Sequence, residues 1–115
     1  MEQEREEQLY RLQADLCQAL ADPTRLKLLS LLGEKPRPVK DLVTATGERH
    51  SKISQHLAIM RQRGIVHAQR AGTEVHYSLN DPRLLEASRI TREILLQQLT
   101  RQASLAAPLV VTGGV

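Results

Sequence analysis

The stretch KDLVTATGERHSKISQHLAIMRQRGIVHAQRAGTEVHYSLND, residues 40–81, decides the fold, because the period of its apolar residues changes once along its length. A short helix is predicted from about Val39 to Thr46, where Gly47 breaks it. A second runs from about Arg49 to Gln62, with Ile53, Leu57 and Met60 on one face, and stops at Gly64. Two helices joined by a short glycine-containing turn make a helix-turn-helix. After Gly64 the period drops to two: Val66 and Ala68, then Val75, Tyr77 and Leu79, alternate with His67, Gln69, His76 and Ser78. Two strands follow, joined by the turn Ala71-Gly72-Thr73-Glu74. That turn pairs Gln69 with His76 and gathers the apolar residues on one side of a hairpin, or wing.

Upstream, Leu9, Leu12, Leu16 and Leu20 recur at steps of three and four and define a helical stripe between Glu4 and Ala21; the residues before it are too charged to need order. Asp22-Pro23 starts another helix, since Asp is a good N-cap and proline suits the first helical position. Leu26, Leu28, Leu29, Leu31 and Leu32 make that helix buried on most sides, with Gly33 as the expected left-handed C-cap. Residues 34–38 read as a turn, because Pro36 and Pro38 forbid helix. Downstream, Asp81-Pro82 repeats the start signal, and a last helix carries Leu84, Leu85, Ile94, Leu95 and Leu99 to about Ala103. The expected class is mainly α with a small β-hairpin, in the order α-α-α-α-β-β-α. Residues 1–105 form one domain and residues 106–115 a frayed tail.

If Ile53 marks the buried side of the Arg49–Gln62 helix, then Ser51, Gln55, Ala58 and Gln62 point away from the core at 100° per residue, flanked by Lys52 and Ser54. Small residues permit close approach to a major groove, Gln can bond an adenine edge in bidentate fashion, and Lys or Ser can reach bases or phosphates. Any amphipathic surface helix is polar outside, so the helix alone is a weak signal. The order of the parts is specific: a leucine-rich helix, a helix-turn-helix with a polar outer face, then at once a hairpin carrying Arg70 and a Gly72 tip.

Charge agrees. The formal net charge is only +3, but residues 35–76 carry eight basic side chains (Lys35, Arg37, Lys40, Arg49, Lys52, Arg61, Arg63, Arg70) against three acidic ones, whereas residues 1–20 carry two against five. A basic middle segment suits a polyanion. With 41% hydrophobic but 2% aromatic residues the core must be aliphatic, and a thin helical core of 115 residues is a candidate for completion by a second copy. One cysteine, Cys17, allows no internal disulfide, and no apolar run is long enough to span a bilayer, so a reducing, cytoplasmic setting is expected.

The segments ALADPTRLKLLSLL (19–32), KDLVTATG (40–47), SKISQHLAIMRQRGIV (51–66) and RAGTEVHYSLND (70–81) together resemble the ArsR/SmtB family of winged helix-turn-helix transcriptional repressors, over about residues 9–100. The resemblance implies repression from an inverted-repeat operator in double-stranded DNA. It also implies a homodimer whose first and last helices pack across the two-fold axis, assigning Leu9, Leu12, Leu16, Leu20, Leu84, Ile94, Leu95 and Leu99 to the dimer interface. Ser51, Lys52, Ser54, Gln55 and His56 fall on the family's recognition helix, and Arg70, Gly72 and Thr73 on its wing; Arg49, His50 and Arg61 are added as backbone contacts. His56 lies only 60° from Ile53, which favours a hydrogen-bonding brace at the core's edge over a base reader. Glu48-Arg49 stands where the family often starts this helix with Ser or Thr.

The family's metal sites are not matched. Where a Cys-x-Cys-Asp-Leu run is expected the chain has Pro38-Val39-Lys40-Asp41-Leu42, and of the last helix's ligands only Asp81 remains, with Arg83, Ile94 and Gln97 at the other positions. One carboxylate does not hold a transition metal. His67 and His76 sit diagonally on one wing face, more in keeping with solvated side chains than with a site. Cys17 is the remaining candidate redox or soft-metal sensor. No cofactor is implied, and the residues specify no effector. An enzyme is disfavoured by the lack of a phosphate-binding glycine loop, clustered carboxylates or a cysteine paired with a base. The alternative is a winged-helix protein-interaction adaptor, which would have no need of Ser51, Lys52, Gln55 and Arg70 on one side.

Overall fold

The computed structural model describes residues 1–105; the expected tail at 106–115 lies outside the described residues. The first helix, α1, spans Glu2–Ala19 and begins earlier than its charge suggested. Glu2 and Glu4 occupy its first turn, where carboxylates complement the positive end of the helix dipole. It ends two residues before the expected Ala21. Asp22 precedes a proline, a position that disfavours the α region, and it is extended at φ −150° and ψ 132°. The chain unwinds towards it through i→i−3 bonds from Leu20 N–H to Cys17 O and from Ala21 N–H to Gln18 O, both 3.0 Å.

The helix α2, Pro23–Glu34, starts as its sequence requires: Pro23 stands in the first turn, and Asp22 Oδ1 accepts from the N–H of Thr24 at 2.8 Å and of Arg25 at 3.1 Å. Its end departs from expectation. Gly33 is inside the helix and has no positive φ; the cap is Lys35, extended at φ −171° and ψ 161°. Pro36 forces this, since the residue before a proline is pushed to the β region. The expected turn at 34–38 then contains a two-residue strand, β1 (Arg37–Pro38), made possible because proline is tolerated at a sheet edge.

Next come α3 (Val39–Thr46), α4 (His50–Gln62), β2 (Val66–Ala71) and β3 (Glu74–Leu79). The sheet is antiparallel in the order β1-β3-β2, with three strands where a hairpin of two was expected. Arg37 pairs with Tyr77 and Pro38 with His76 on one side of β3, and Gln69 with His76 on the other, the register the alternation predicts. Leu28, Leu29, Leu42, Ile53, Leu57, Met60, Ile65 and Val66 are fully buried, and they come from α2, α3, α4 and the start of the wing. α2 packs against α3, α4 and β3 through Leu28, Leu29 and Leu32, but it is not buried on most sides as expected: Leu26 is exposed and Leu31 half-buried, because the leucines outnumber the positions on one helical face. The last helix, α5 (Arg83–Leu105), runs two residues past its expected end and forms a second unit of its own.

The two accounts of Gly33 differ in the sign of a substitution. Alanine at an exposed, right-handed helical position should stabilise by about 0.4–1 kcal/mol, whereas at a left-handed cap it would destabilise. Urea denaturation of Gly33→Ala is expected to give a raised midpoint.

Candidate nucleic-acid interface

The turn into α4 is set by Gly47, which adopts the left-handed conformation (φ 73°) and donates its N–H to Val43 O at 2.9 Å. Thr46 tightens it, its hydroxyl donating to Leu42 O at 2.7 Å and accepting from Glu48 N–H at 3.2 Å. Arg49 is the N-cap of α4, extended and without a side-chain cap bond. An arginine has no acceptor to offer, so the first N–H groups of α4 and the positive end of its dipole meet no capping side chain.

Burial of Ile53, Leu57 and Met60 turns Ser51, Gln55, Ala58 and Gln62 to solvent, with Lys52 exposed and Ser54 half-buried beside them. Two tethers hold this face at rest: Lys52 Nζ lies 3.1 Å from Glu48 Oε2, and His50 Nδ1 lies 3.4 Å from Ser54 Oγ. Arg49 and Arg61 are exposed near the two ends of the helix. In the wing, Gly72-Thr73 forms a two-residue loop closed by the Ala71–Glu74 pair, with Gly72 at φ 67°. Arg70, Gly72 and Thr73 are exposed, and so is Val75 opposite Arg70, where the apolar face of the hairpin outruns the core.

The wing is tied at two places that the sequence does not announce. Lys40 Nζ on α3 meets Glu74 Oε2 at 2.7 Å; this hydrogen bond raises the lysine pKa above its ordinary value and lowers that of the glutamate. At the wing's base, Asn80 Nδ2 donates to Gly64 O at 2.7 Å and to Val66 O at 3.3 Å, leaving Oδ1 to accept from His67 Nδ1 at 2.6 Å. His76 Nε2 lies 3.6 Å from Glu74 Oε1. The two wing histidines thus have separate partners.

His56 does not belong to the outward face. Its side chain is 12% exposed, and Arg25 Nε donates to its Nδ1 at 3.0 Å. That bond uses the Nδ1 lone pair and assigns the ring proton to Nε2, 3.9 Å from Asp22 Oδ1. Arg25 Nη1 also donates to Ala19 O at 3.1 Å, so one guanidinium joins the end of α1 to α4. The Asp-Pro-Thr-Arg run is visible in the sequence, but nothing local to it announces a partner 31 residues away. Cys17 is exposed on α1, and among the described residues no group of three or more His, Cys, Asp or Glu side chains is placed to hold a metal ion.

The family model described as "Bacterial regulatory protein, arsR family" matches residues 22–68, from the α2 cap to the first wing strand. The chain is 36% identical over 95 residues to the uncharacterized HTH-type transcriptional regulator Rv0081 of Mycobacterium tuberculosis, covering 82% of this chain and 83% of the relative. This chain belongs to the ArsR family of bacterial regulatory proteins. The crystal structure of Rv0081 superposes with a TM-score of 0.75 at 34% identity, over 83% of this chain and 96% of that one. The homodimeric winged helix-turn-helix DNA-binding domain of Mb0332 from Mycobacterium bovis, a possible ArsR-family regulator, gives 0.73 at 30% identity over 82% and 90%. The transcriptional repressor BigR from Xylella fastidiosa gives 0.63 at 30% identity over 76% and 92%. The ArsR-family chain described here shares their winged helix-turn-helix fold.

The Asp22 cap titrates. Its carboxyl pKa is held below the ordinary aspartate value, chiefly by the Arg25 N–H, with the Thr24 N–H and the Arg25 side chain acting in the same direction. A lowered folded-state value contributes stability that is complete above the unfolded carboxyl's range and lost as pH falls through it. Stability should therefore decline from about pH 5 downward. In Asp22→Asn that part of the decline should be absent, as read by urea denaturation across the acid range.

Proposed function

We propose that this ArsR-family chain is a repressor that binds an inverted repeat in double-stranded DNA as a homodimer. The carrying observation is one solvent-facing set of polar side chains, Ser51, Lys52 and Gln55, on a helix followed at once by the exposed Arg70-Gly72-Thr73 wing tip. In this reading α4 enters the major groove. Gln55 takes a base edge and Ser51, Lys52 and Ser54 the neighbouring bases or phosphates. Arg49, His50 and Arg61 neutralise the flanking backbone, while Arg70, Gly72 and Thr73 lie along the next backbone segment. The uncapped N-terminus of α4 supports an anion at that end. Lys52 would exchange Glu48 for phosphate, at little cost because an exposed pair is weak.

The support for a homodimer is twofold. Mb0332, 30% identical, is described as homodimeric. Within this chain, Leu9 and Leu12 of α1 are 58% and 57% exposed, and Ile94 and Leu95 of α5 are 50% and 52% exposed. These lie on helical stripes with the half-buried Leu16 and Leu99, while Leu20 and Leu84 are half-buried beyond them. Apolar surface so arranged is suited to a second copy. The role is binding without catalysis, in the cytoplasm; no helix among the described residues is long and apolar enough to cross a membrane.

The test is selection of duplexes from a random pool, followed by titration. Tight binding to an inverted repeat with half-sites about one helical turn apart, weakening steeply with salt, is expected. Gln55→Ala should relax preference at one base position by about 1–3 kcal/mol, and Arg70→Ala should weaken all sequences alike and lower the salt slope by about 1. Leu12→Glu should yield monomers by sedimentation. Equal, salt-insensitive binding of every duplex would instead favour a protein-interaction adaptor.

A further inference from the structure

The geometry points to Arg25 and His56 as positioning residues that set the rotation of α4 about its own axis, and so the register of its outer side chains against bases. The inference rests on the DNA-reading role proposed above for α4. Ile53, Leu57 and Met60 fix which side of α4 is buried, but aliphatic packing is non-directional and tolerates small rotations. The angle needs a directional contact. Among the described residues of α4, His56 carries a side-chain hydrogen bond to another helix, accepted by Nδ1 from Arg25 Nε at 3.0 Å.

Arg25 is itself fixed at two other points. Its Nη1 donates to Ala19 O at 3.1 Å, and its backbone N–H donates to the Asp22 cap at 3.1 Å. The guanidinium is planar, so the two side-chain bonds share one plane and hold the imidazole in a defined place relative to the ends of α1 and α2. His56 directly follows Gln55, the outward residue assigned to a base edge. Side-chain tips lie about 5–6 Å from a helix axis, so a rotation of about 15° moves them by about 1.5 Å, well beyond the ~0.5 Å within which a functional constellation must be held. Losing the bond should therefore cost discrimination between sequences, while every positive charge that attracts DNA is kept and a shift of about 1.5 Å is small against the range of that attraction.

Three variants test this: Arg25→Lys, which keeps the charge but lacks the rigid planar fork that joins the two bonds; His56→Ala, which removes the acceptor; and His56→Asn, whose Oδ1 stands in for Nδ1. The parent protein's best selected duplex and a scrambled duplex of equal length are the probes. Arg25→Lys and His56→Ala are expected to lose about 10-fold or more in affinity for the selected duplex, the scale of one bidentate base contact, with scrambled binding and salt slope unchanged. His56→Asn should retain most of the discrimination. The inference is overturned if selected and scrambled affinities fall together, if neither falls, or if His56→Asn behaves like His56→Ala. Should the parent discriminate between no duplexes, it is the DNA-reading role that fails. The rotation is then judged without DNA, by amide chemical shifts of Ser51, Lys52 and Gln55 in Arg25→Lys: displaced shifts support it, and shifts identical to the parent's overturn it.

Discussion

Burial of Ile53, Leu57 and Met60 along one side of α4 is the contact from which the arrangement of this protein follows. A helix that commits three side chains at steps of four and three to an aliphatic core has its remaining faces assigned by geometry. Ser51, Gln55, Ala58 and Gln62 can only face water or a partner. The core that receives them is made by α2, whose Leu28 and Leu29 are both fully buried, and α2 is set by one carboxylate capping two N–H groups. Residues far apart in sequence thus divide the work: one group makes the surface, and the other decides where it points.

The electrostatics of that surface are arranged more finely than a count of basic residues conveys. Lys52 rests on Glu48 and Lys40 on Glu74, so two of the middle segment's cations are engaged by its own acids. Arg63 lies 3.9 Å from Asp15 of the acidic first helix. Exposed pairs of this kind contribute little to stability, yet they set the resting direction of long side chains and moderate the attraction of any anion. Arg49, Arg61 and Arg70 stand exposed around the outer face of α4 and the wing.

Features with a local cause were legible in the sequence. The Asp22-Pro23 start, the α3 and α4 boundaries at Gly47 and Gly64, and the Gln69–His76 register each follow from a periodicity or a residue with one strong backbone preference. Where two local rules competed, the nearer steric one won: Gly33 invited a left-handed cap, but Pro36 had already forced Lys35 into an extended conformation. Residues 37 and 38 looked like part of a turn because a two-residue strand has no period to detect, and its partner lies almost forty residues on. The outward face of α4 followed from counting 100° per residue. The same count put His56 nearer the core than the outer face, but its partner Arg25, 31 residues away, could not be read from the helix itself. Asn80 at the base of the wing has no local signature for the same reason: its carbonyl partners lie 14 and 16 residues back.

The short strand β1 has a wider bearing. It forms one border of the sheet, and with Pro36 just before it and Pro38 within it, two of three successive residues there have no N–H to offer a passing strand. An open sheet border ordinarily invites chains to add on one after another, without limit. With that border chemically blunted, growth of the sheet by strand addition is discouraged on the β1 side and left to the opposite border, which β2 forms.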